Sequence, residues 1–157
     1  MKAGLPSMNV SLPVSEQFQI LRSGVDVATW SLERLDLPPE WRDTNEPGNT
    51  ERCQEVVDLL FTLTRAEIES ELAAQSLLPE ELGQVFLEPG SRDGHYFVAR
   101  GDVWEIYFQE REGRWVEAIF DDLVEARRFL LNLWLPVWLD HLLVGARTRD
   151  GKWVTRL

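Results

Sequence analysis

The spacing of apolar residues changes period once along the chain, near Asp93, and this change constrains the fold more than any other feature. Before it, apolar residues recur at intervals of three and four, which is the spacing of one helix face. After it they alternate with polar residues, as along a β-strand. The sequence therefore predicts an α+β fold, with a helical N-terminal half followed by an antiparallel three-stranded meander packed on a C-terminal kinked helix.

The length of 157 residues is typical of one compact domain, which we predict to span residues 1–157. A helical section is expected over about residues 1–88, and a section made of the sheet and a helix over about residues 93–157. The prolines and glycine between residues 38 and 49 are interpreted as a loop within this domain.

Five helical segments are predicted in the first section. After residue 50, an apolar stripe that runs from Cys53 to Leu63 has the spacing of one helix face. Thr64 and Glu67 have the spacing of a capping box, so a helix should begin there and continue to about residue 76, with Glu67 and Glu71 on its exposed side. The other three predicted segments are Val14–Arg22, ended by Gly24, residues 28–35, and a short helix from Pro79 to residue 86.

Three strands are predicted over residues 96–100, 103–109 and 115–120, which are rich in aromatic and β-branched residues. A two-residue Gly101-Asp102 turn sets Arg100 opposite Val103. A five-residue connection over residues 110–114 sets Gln109 opposite Trp115. One face of the meander then becomes wholly apolar, and its predicted members are Trp104, Ile106, Phe108, Val116, Ala118 and Phe120.

A helix that begins at Asp121 or Asp122 is predicted to cover this apolar face. Proline fits poorly inside a helix, so we expect a kink or break near Leu135 and a second short helix from Pro136 to residue 143. The apolar run 129–139 is too short to span a bilayer and is interpreted as a buried core segment. An oligomer contact, and hence a homodimer, stays an open alternative, as does membrane association. A last strand is expected over residues 152–156.

The formal net charge of −11 disfavours a protein that binds the phosphate backbone of nucleic acids, because such proteins need a basic surface. A basic partner is more natural for this chain. The single cysteine excludes an internal disulfide, and residues 1–10 fit no secretory signal. We therefore predict a cytoplasmic protein.

Side chains suited to catalysis are few. The imidazoles are His95 and His141, and Cys53 carries the one thiol; we expect surface or helix-end positions for the histidines and a core position for the cysteine. Phosphate-binding, dinucleotide-binding, zinc and calcium motifs do not occur in the sequence. No catalytic residue, metal or cofactor is predicted, although the many carboxylates leave an acid–base pair as an alternative.

Two surfaces are candidates for partner binding. The outer face of the predicted meander combines carboxylates with aromatic rings, and its selected residues are Glu105, Tyr107, Trp115 and Glu117. The alternative is that another element covers Tyr107 and Trp115. The second surface is acidic and helical, with Glu67 and Glu71 as its selected residues. Its alternative is a solvated acidic face.

Residues 96–133 read YFVARGDVWEIYFQEREGRWVEAIFDDLVEARRFLLNL, and this stretch resembles a pattern found in small bacterial immunity proteins of polymorphic and contact-dependent toxin systems. In those proteins a strand and an aromatic hairpin precede a phenylalanine–aspartate step and a helix. The matching positions here are Trp104, Tyr107, Glu110, Arg111, Gly113, Phe120, Asp121, Ala126, Phe129 and Leu130.

The resemblance implies a non-enzymatic inhibitor that binds a cognate toxin domain and protects the cell that produces the toxin. The acidic charge is compatible with this function, because a toxin domain that acts on nucleic acid carries a basic cleft. Two alternatives stay open, namely an adaptor or chaperone of a secretion system, and an enzyme that uses carboxylates.

Overall fold

The computed structural model describes residues 11–82, 85–145 and 154–156. In this part of the chain the fold is α+β, as predicted, with five α-helices and a four-stranded sheet. Contacts within the chain define two compact units. Unit 1 consists of the residues up to Glu71 and from Pro136 onward, and unit 2 consists of Leu72–Leu135.

The four long helices predicted before residue 77 are present. Gly24 follows the first of them with a φ of 78°, a left-handed conformation that favours glycine and ends a helix. The capping box is also confirmed: the Glu67 N–H donates to Thr64 Oγ1 at 3.2 Å, and the Thr64 N–H donates to Glu67 Oε1 at 3.1 Å. These helices are α1 (Val14–Arg22), α2 (Val27–Arg34), α3 (Asn49–Leu60) and α4 (Arg65–Ala74), with a 3₁₀ turn at Pro39–Arg42.

The core of unit 1 is formed by the apolar faces of these helices and by residues after Pro136. The Phe18 ring of α1 lies 5.8 Å from the Trp138 ring, and Trp30 of α2 packs edge-on against Phe61 at 5.7 Å. The predicted apolar stripe is confirmed, because all its members are buried: Cys53, Val56, Val57 and Leu60 on α3, and Leu63 after the helix ends.

Two glutamines in unit 1 connect main-chain segments that are distant in sequence. Gln17 is fully buried, and its Nε2 donates to the Leu12 carbonyl at 2.6 Å while its Oε1 accepts from the Thr62 N–H at 2.7 Å. Gln54 Nε2 donates to the Leu142 carbonyl at 3.0 Å, and its Oε1 accepts from the Val144 N–H at 2.7 Å. Each amide thereby satisfies polar main-chain groups that regular secondary structure leaves unpaired.

Asp26, before α2, holds the 3₁₀ turn through an ion pair with Arg42, whose Nε lies 3.0 Å from Asp26 Oδ2. Thr29 Oγ1 donates to the same oxygen at 2.7 Å. Burial tends to raise the pKa of Asp26, but the hydrogen bonds from Thr29 and Arg42 outweigh burial and hold the pKa below its ordinary value of 3.8.

The sheet of unit 2 has the order β1-β2-β3-β4 and four strands, so the prediction of three was wrong. The missed strand β1 is only two residues long and pairs in parallel with β2. The predicted helix from Pro79 to residue 86 was also wrong: a 3₁₀ turn covers Pro79–Glu81, and Val85 and Phe86 belong to β1. The strands are β1 (Val85–Phe86), β2 (Gly94–Arg100), β3 (Val103–Glu110) and β4 (Gly113–Phe120).

The predicted register between β2 and β3 is confirmed. Arg100 pairs with Val103 and Phe97 pairs with Ile106. Gly101 has a φ of 61°, which a two-residue turn of this kind requires at its first position and which glycine adopts without strain.

The predicted register between β3 and β4 is right at one end and wrong at the other. Ile106 pairs with Ala118 as predicted, but Gln109 pairs with Arg114 and Phe108 pairs with Trp115. The predicted five-residue connection is in fact a two-residue turn of Arg111 and Glu112, in which Arg111 has a φ of 54°. A β-bulge next to Tyr107 absorbs the difference of one residue, so Val116 pairs with Tyr107 and Glu117 is the extra residue.

Helix α5 (Leu123–Asp140) packs on one face of the sheet through its first part. Phe97 and Ile106 of the sheet form a buried cluster with Ala126 and Leu130 of α5, and Trp104 and Phe120 pack against this cluster. Trp104, Ile106 and Phe120 were predicted on the apolar face of the meander, and Phe97 was predicted to pair with Ile106. Arg127 of α5 also makes a bidentate ion pair with Glu80: Nη2 donates to Oε1 at 2.9 Å, and Nε donates to Oε2 at 3.3 Å.

Of the kink or break predicted near Leu135, the break is wrong, and so is the separate short helix from Pro136, because α5 is one helix that continues through Pro136 to Asp140. Proline cannot donate a main-chain hydrogen bond, which disfavours a helix at this position. Leu135 and Trp138, on either side of Pro136, are buried, and this burial offsets the lost hydrogen bond. Among the described residues, the helices are too short or too polar to cross a bilayer. The last predicted strand is wrong for residues 154–156, which have no regular structure, and its first two residues lie outside the described part.

Candidate partner-binding site

Glu105 lies on the sheet face opposite α5, as predicted, but it is only 8% exposed. Its carboxylate contacts two guanidinium groups, with Arg100 Nε at 3.3 Å and Arg114 Nη2 closer still. A carboxylate held between two arginines has little remaining negative potential to offer a partner. Glu105 is therefore engaged within the sheet and is not an open binding group.

Tyr107 lies beside Glu105 and is also enclosed. Its ring stacks on Tyr96 with centroids 4.7 Å apart and an angle of 3° between the planes. The Arg114 guanidinium covers the Tyr107 ring at 4.1 Å, a cation–π contact. Tyr107 is therefore buried, but these contacts come from β2 and β4 of the same sheet and not from another element, as the alternative had it.

Trp115 was predicted on the same outer face, but the bulge places it on the α5 side of the sheet, opposite Phe108. Its side chain is 55% exposed. The indole nevertheless has a defined position, because it stacks near Phe108 with centroids 6.2 Å apart and lies over Gly113. A Cβ atom at Gly113 would overlap the indole, so the glycine is required for this arrangement.

Glu117 was also predicted on the outer face, and this too was wrong. Its Oε1 lies 3.0 Å from His95 Nε2, and the His95 ring packs against Phe108 at 5.0 Å and Trp134 of α5 at 5.3 Å. Both side chains of the pair remain partly exposed, at 20% for His95 and 29% for Glu117.

These contacts join three neighbouring strands into one feature, which we call the aromatic row: His95 on β2, Phe108 on β3 and Trp115 on β4. Its outer end is the exposed indole of Trp115. The Glu117 carboxylate lies at the other end of the row, against His95. Rigid aromatic rings combined with a partly exposed charge are a composition typical of the energetic centre of protein interfaces.

The acidic helical surface is largely used within the protein. Glu67 caps α4 through Thr64, and Arg65 contacts Glu69 at 3.3 Å. Glu71, the other selected residue, is half-buried on α4 and makes interactions of its own. Glu67 and Glu71 belong to unit 1, whereas the aromatic row belongs to unit 2. We therefore treat the helical surface as a separate and weaker candidate.

The chemistry available at the aromatic row is limited. A carboxylate that holds a histidine nitrogen is half of a nucleophile-activating system, but strands β2, β3 and β4 contain no serine, threonine or cysteine. Burial raises the pKa of the Cys53 thiol, and its Sγ donates to the Trp41 carbonyl at 2.8 Å, as expected for a core cysteine. Within the described ranges, no three histidine, cysteine or carboxylate side chains are grouped so as to hold a metal ion.

Three residues of this site were not predicted from the sequence to have a role in it: His95, Phe108 as a support for Trp115, and Gly113. His95 could have been found, because the confirmed β2–β3 register places it opposite Phe108. The Trp115–Gly113 contact depends on the bulge, for which the sequence carries no local signal.

Comparisons of the chain with models of known protein families, with characterised proteins and with solved structures found no match. The functional interpretation therefore rests on the residues and contacts described above.

Proposed function

We propose that this chain is a non-enzymatic binding protein, specifically an immunity protein that binds and neutralises a cognate bacterial toxin in the cytoplasm. The observation that carries the proposal is that Trp115 is both exposed and held in a fixed position. A tryptophan that is more than half exposed, yet fixed by Phe108 and Gly113, loses little conformational entropy when a partner covers it.

The charge of the protein supports a basic partner. The net charge of −11 attracts a cationic surface at long range, and Glu117 adds a partly exposed carboxylate at the His95 end of the aromatic row. A toxin domain with a basic, nucleic-acid-binding cleft has the complementary charge. Glu105 does not contribute, because it is neutralised by its two arginines.

An adaptor or chaperone of a secretion system is the second candidate function. The exposed apolar side chains Val116, Ile119 and Val124 favour it, because such a protein binds an apolar segment of its client. The two functions differ in salt dependence: association with a basic toxin slows as salt rises, whereas binding of an apolar segment does not.

The test is binding between the purified protein and the product of the neighbouring gene, measured at several salt concentrations. We expect a stable complex, and we expect Trp115→Ala to weaken it by about 30-fold or more, chiefly through faster dissociation. Glu117→Lys should chiefly slow association. Trp41→Ala is the matched control, since Trp41 is a partly exposed tryptophan in unit 1.

Charge reversal of Glu67 and Glu71 completes the comparison. If reversal of these two residues abolishes binding while Trp115→Ala and Glu117→Lys have no effect, the site is on α4 and not at the aromatic row. If the protein protects cells without binding any protein, and His95→Ala abolishes protection in a folded variant, the enzyme alternative is favoured instead.

A further inference from the structure

Strand β4 forms a free edge of the sheet. It pairs with β3 on one side, and the strand order places no described strand on the other. None of its eight residues is buried, whereas β2 and β3 each contain three buried residues. Three large apolar side chains on it are exposed: Trp115, Val116 and Ile119. A long exposed edge of this kind is a template for a further strand.

The two ends of β4 are acidic. Exposed Glu110 and Glu112 outnumber Arg111 at its start, and exposed Asp121 and Asp122 follow its end. The one arginine inside the strand, Arg114, is held by Glu105 and by the ring of Tyr107. The edge thus has two negative ends, and its middle is apolar apart from Glu117, whose carboxylate contacts His95.

This charge pattern selects the occupant. A second copy in antiparallel orientation would bring the end with Glu110 and Glu112 beside the end with Asp121 and Asp122, and like charges would meet. A second copy in parallel orientation would bring each acidic end beside itself. A strand with basic residues at both ends and apolar residues between them meets attraction at both ends.

We propose that β4 binds a partner by strand addition, and that the added segment is a β-strand with an apolar centre and basic ends. This inference rests on the proposed function in that it takes the partner to be a protein. Main-chain hydrogen bonds would supply affinity, while Trp115 on the α5 face and Val116 and Ile119 on the outer face would select the side chains of the added strand.

The first test uses three synthetic peptides. One has lysine pairs at both ends and alternating valine and threonine between them, the second replaces the lysines by glutamates, and the third keeps the lysines but has a central proline. Hydrogen exchange of the β4 amides is measured with each. We expect exchange to slow about 10-fold or more with the first peptide only, because proline removes a main-chain donor without changing the charge. Equal effects of the lysine and proline peptides, or protection located elsewhere, would overturn the proposal.

The second test changes the edge itself. Val116→Lys and Ile119→Lys place edge lysines on exposed positions, and we expect each to weaken binding of the lysine peptide by about 10-fold or more. Val124→Lys on α5 is the matched control, with the same charge change at an equally exposed valine, and it should change affinity less than about twofold. Equal losses in all three variants would contradict strand addition, as would dimerisation of the protein alone that Val116→Lys abolishes.

The outcomes separate this inference from the proposed function. If a neighbouring-gene toxin binds and neither edge variant weakens the complex, strand addition is wrong and the immunity function stands. If no toxin binds but the lysine peptide protects β4, the immunity function fails and the edge site stands.

Discussion

Replacement of Gln17 by leucine should destabilise the protein far more than its modest change in size suggests. The buried amide makes three hydrogen bonds, to the Leu12 carbonyl, to Thr62 Oγ1 and from the Thr62 N–H. Leucine leaves the two main-chain groups unpaired, and an unpaired buried polar group costs about 1 to 3 kcal/mol. Thr62 is exposed, so water can reach its N–H and the cost there lies at the lower end.

Removal of a polar amide from the interior offsets about 1 kcal/mol of this cost. With about 1 to 3 kcal/mol for the Leu12 carbonyl and about 1 kcal/mol for the Thr62 N–H, less this offset, the expected net loss in the free energy of unfolding is about 1 to 3 kcal/mol. Urea titration measures it, with tryptophan fluorescence as one probe, since Trp138 contacts Phe18 beside the mutated residue. Circular dichroism is the second probe.

Glu16→Leu is the control, because it introduces the same side chain at the exposed neighbouring position of α1. It should cost less than about 1 kcal/mol, mainly through the lost interaction of Glu16 with the helix N-terminus. If Gln17→Leu costs no more than Glu16→Leu at an unchanged urea dependence, the amide does not have the structural role described.

Three further predictions concern other parts of the structure. Arg127→Met breaks the bidentate pair with Glu80 and should lower the free energy of unfolding, measured by urea titration, by about 1 to 3 kcal/mol. Arg128→Met breaks an exposed pair on the same helix and should lower it by less than about 0.5 kcal/mol. Equal losses in the two variants would contradict this prediction. The pKa of Asp26 is lowered in the folded state, so its stabilising contribution is present above its ordinary pKa of 3.8 and is lost as the pH falls through the lower folded value. Asp26→Asn should therefore reduce stability at pH 7, and this deficit should shrink as the pH falls through the folded pKa of Asp26; a deficit that does not change with pH would refute this. The raised pKa and burial of Cys53 predict labelling by a thiol reagent about 100-fold or more slower in the native protein than in urea, and rapid native labelling would exclude the core position.

Much of the architecture could be predicted because its signals are local. The spacing of apolar residues predicts α3, and these residues are buried. A capping-box sequence predicts the start of α4, and the capping box is fully formed. The β2–β3 hairpin follows from Gly101, because glycine accepts a positive φ without strain. In each case a residue within a few positions decides the conformation.

The predictions are wrong where the conformation depends on contacts between residues that are distant in sequence. Arg111 adopts a positive φ that non-glycine residues rarely adopt, so the sequence offered no reason to place a two-residue turn there. That turn shifts one end of β4 by one residue, and the bulge restores the register at the other end. The shift moved Trp115 and Glu117 to the α5 side and Val116 to the outer side, which changed the candidate site. Strand β1 has two residues, too few to show any period.

The interruption of unit 1 by unit 2 has a consequence for the order of events during synthesis. Unit 2 is a continuous stretch of chain, whereas unit 1 is completed only by residues after Leu135. When the ribosome has added Leu135, the nascent chain contains all of unit 2. Gln54 of α3 still lacks its hydrogen-bond partners Leu142 and Val144 at that point. The ribosome adds about 5 to 20 residues per second. The segment that completes the core of unit 1 is therefore synthesised roughly a second after unit 2 is complete.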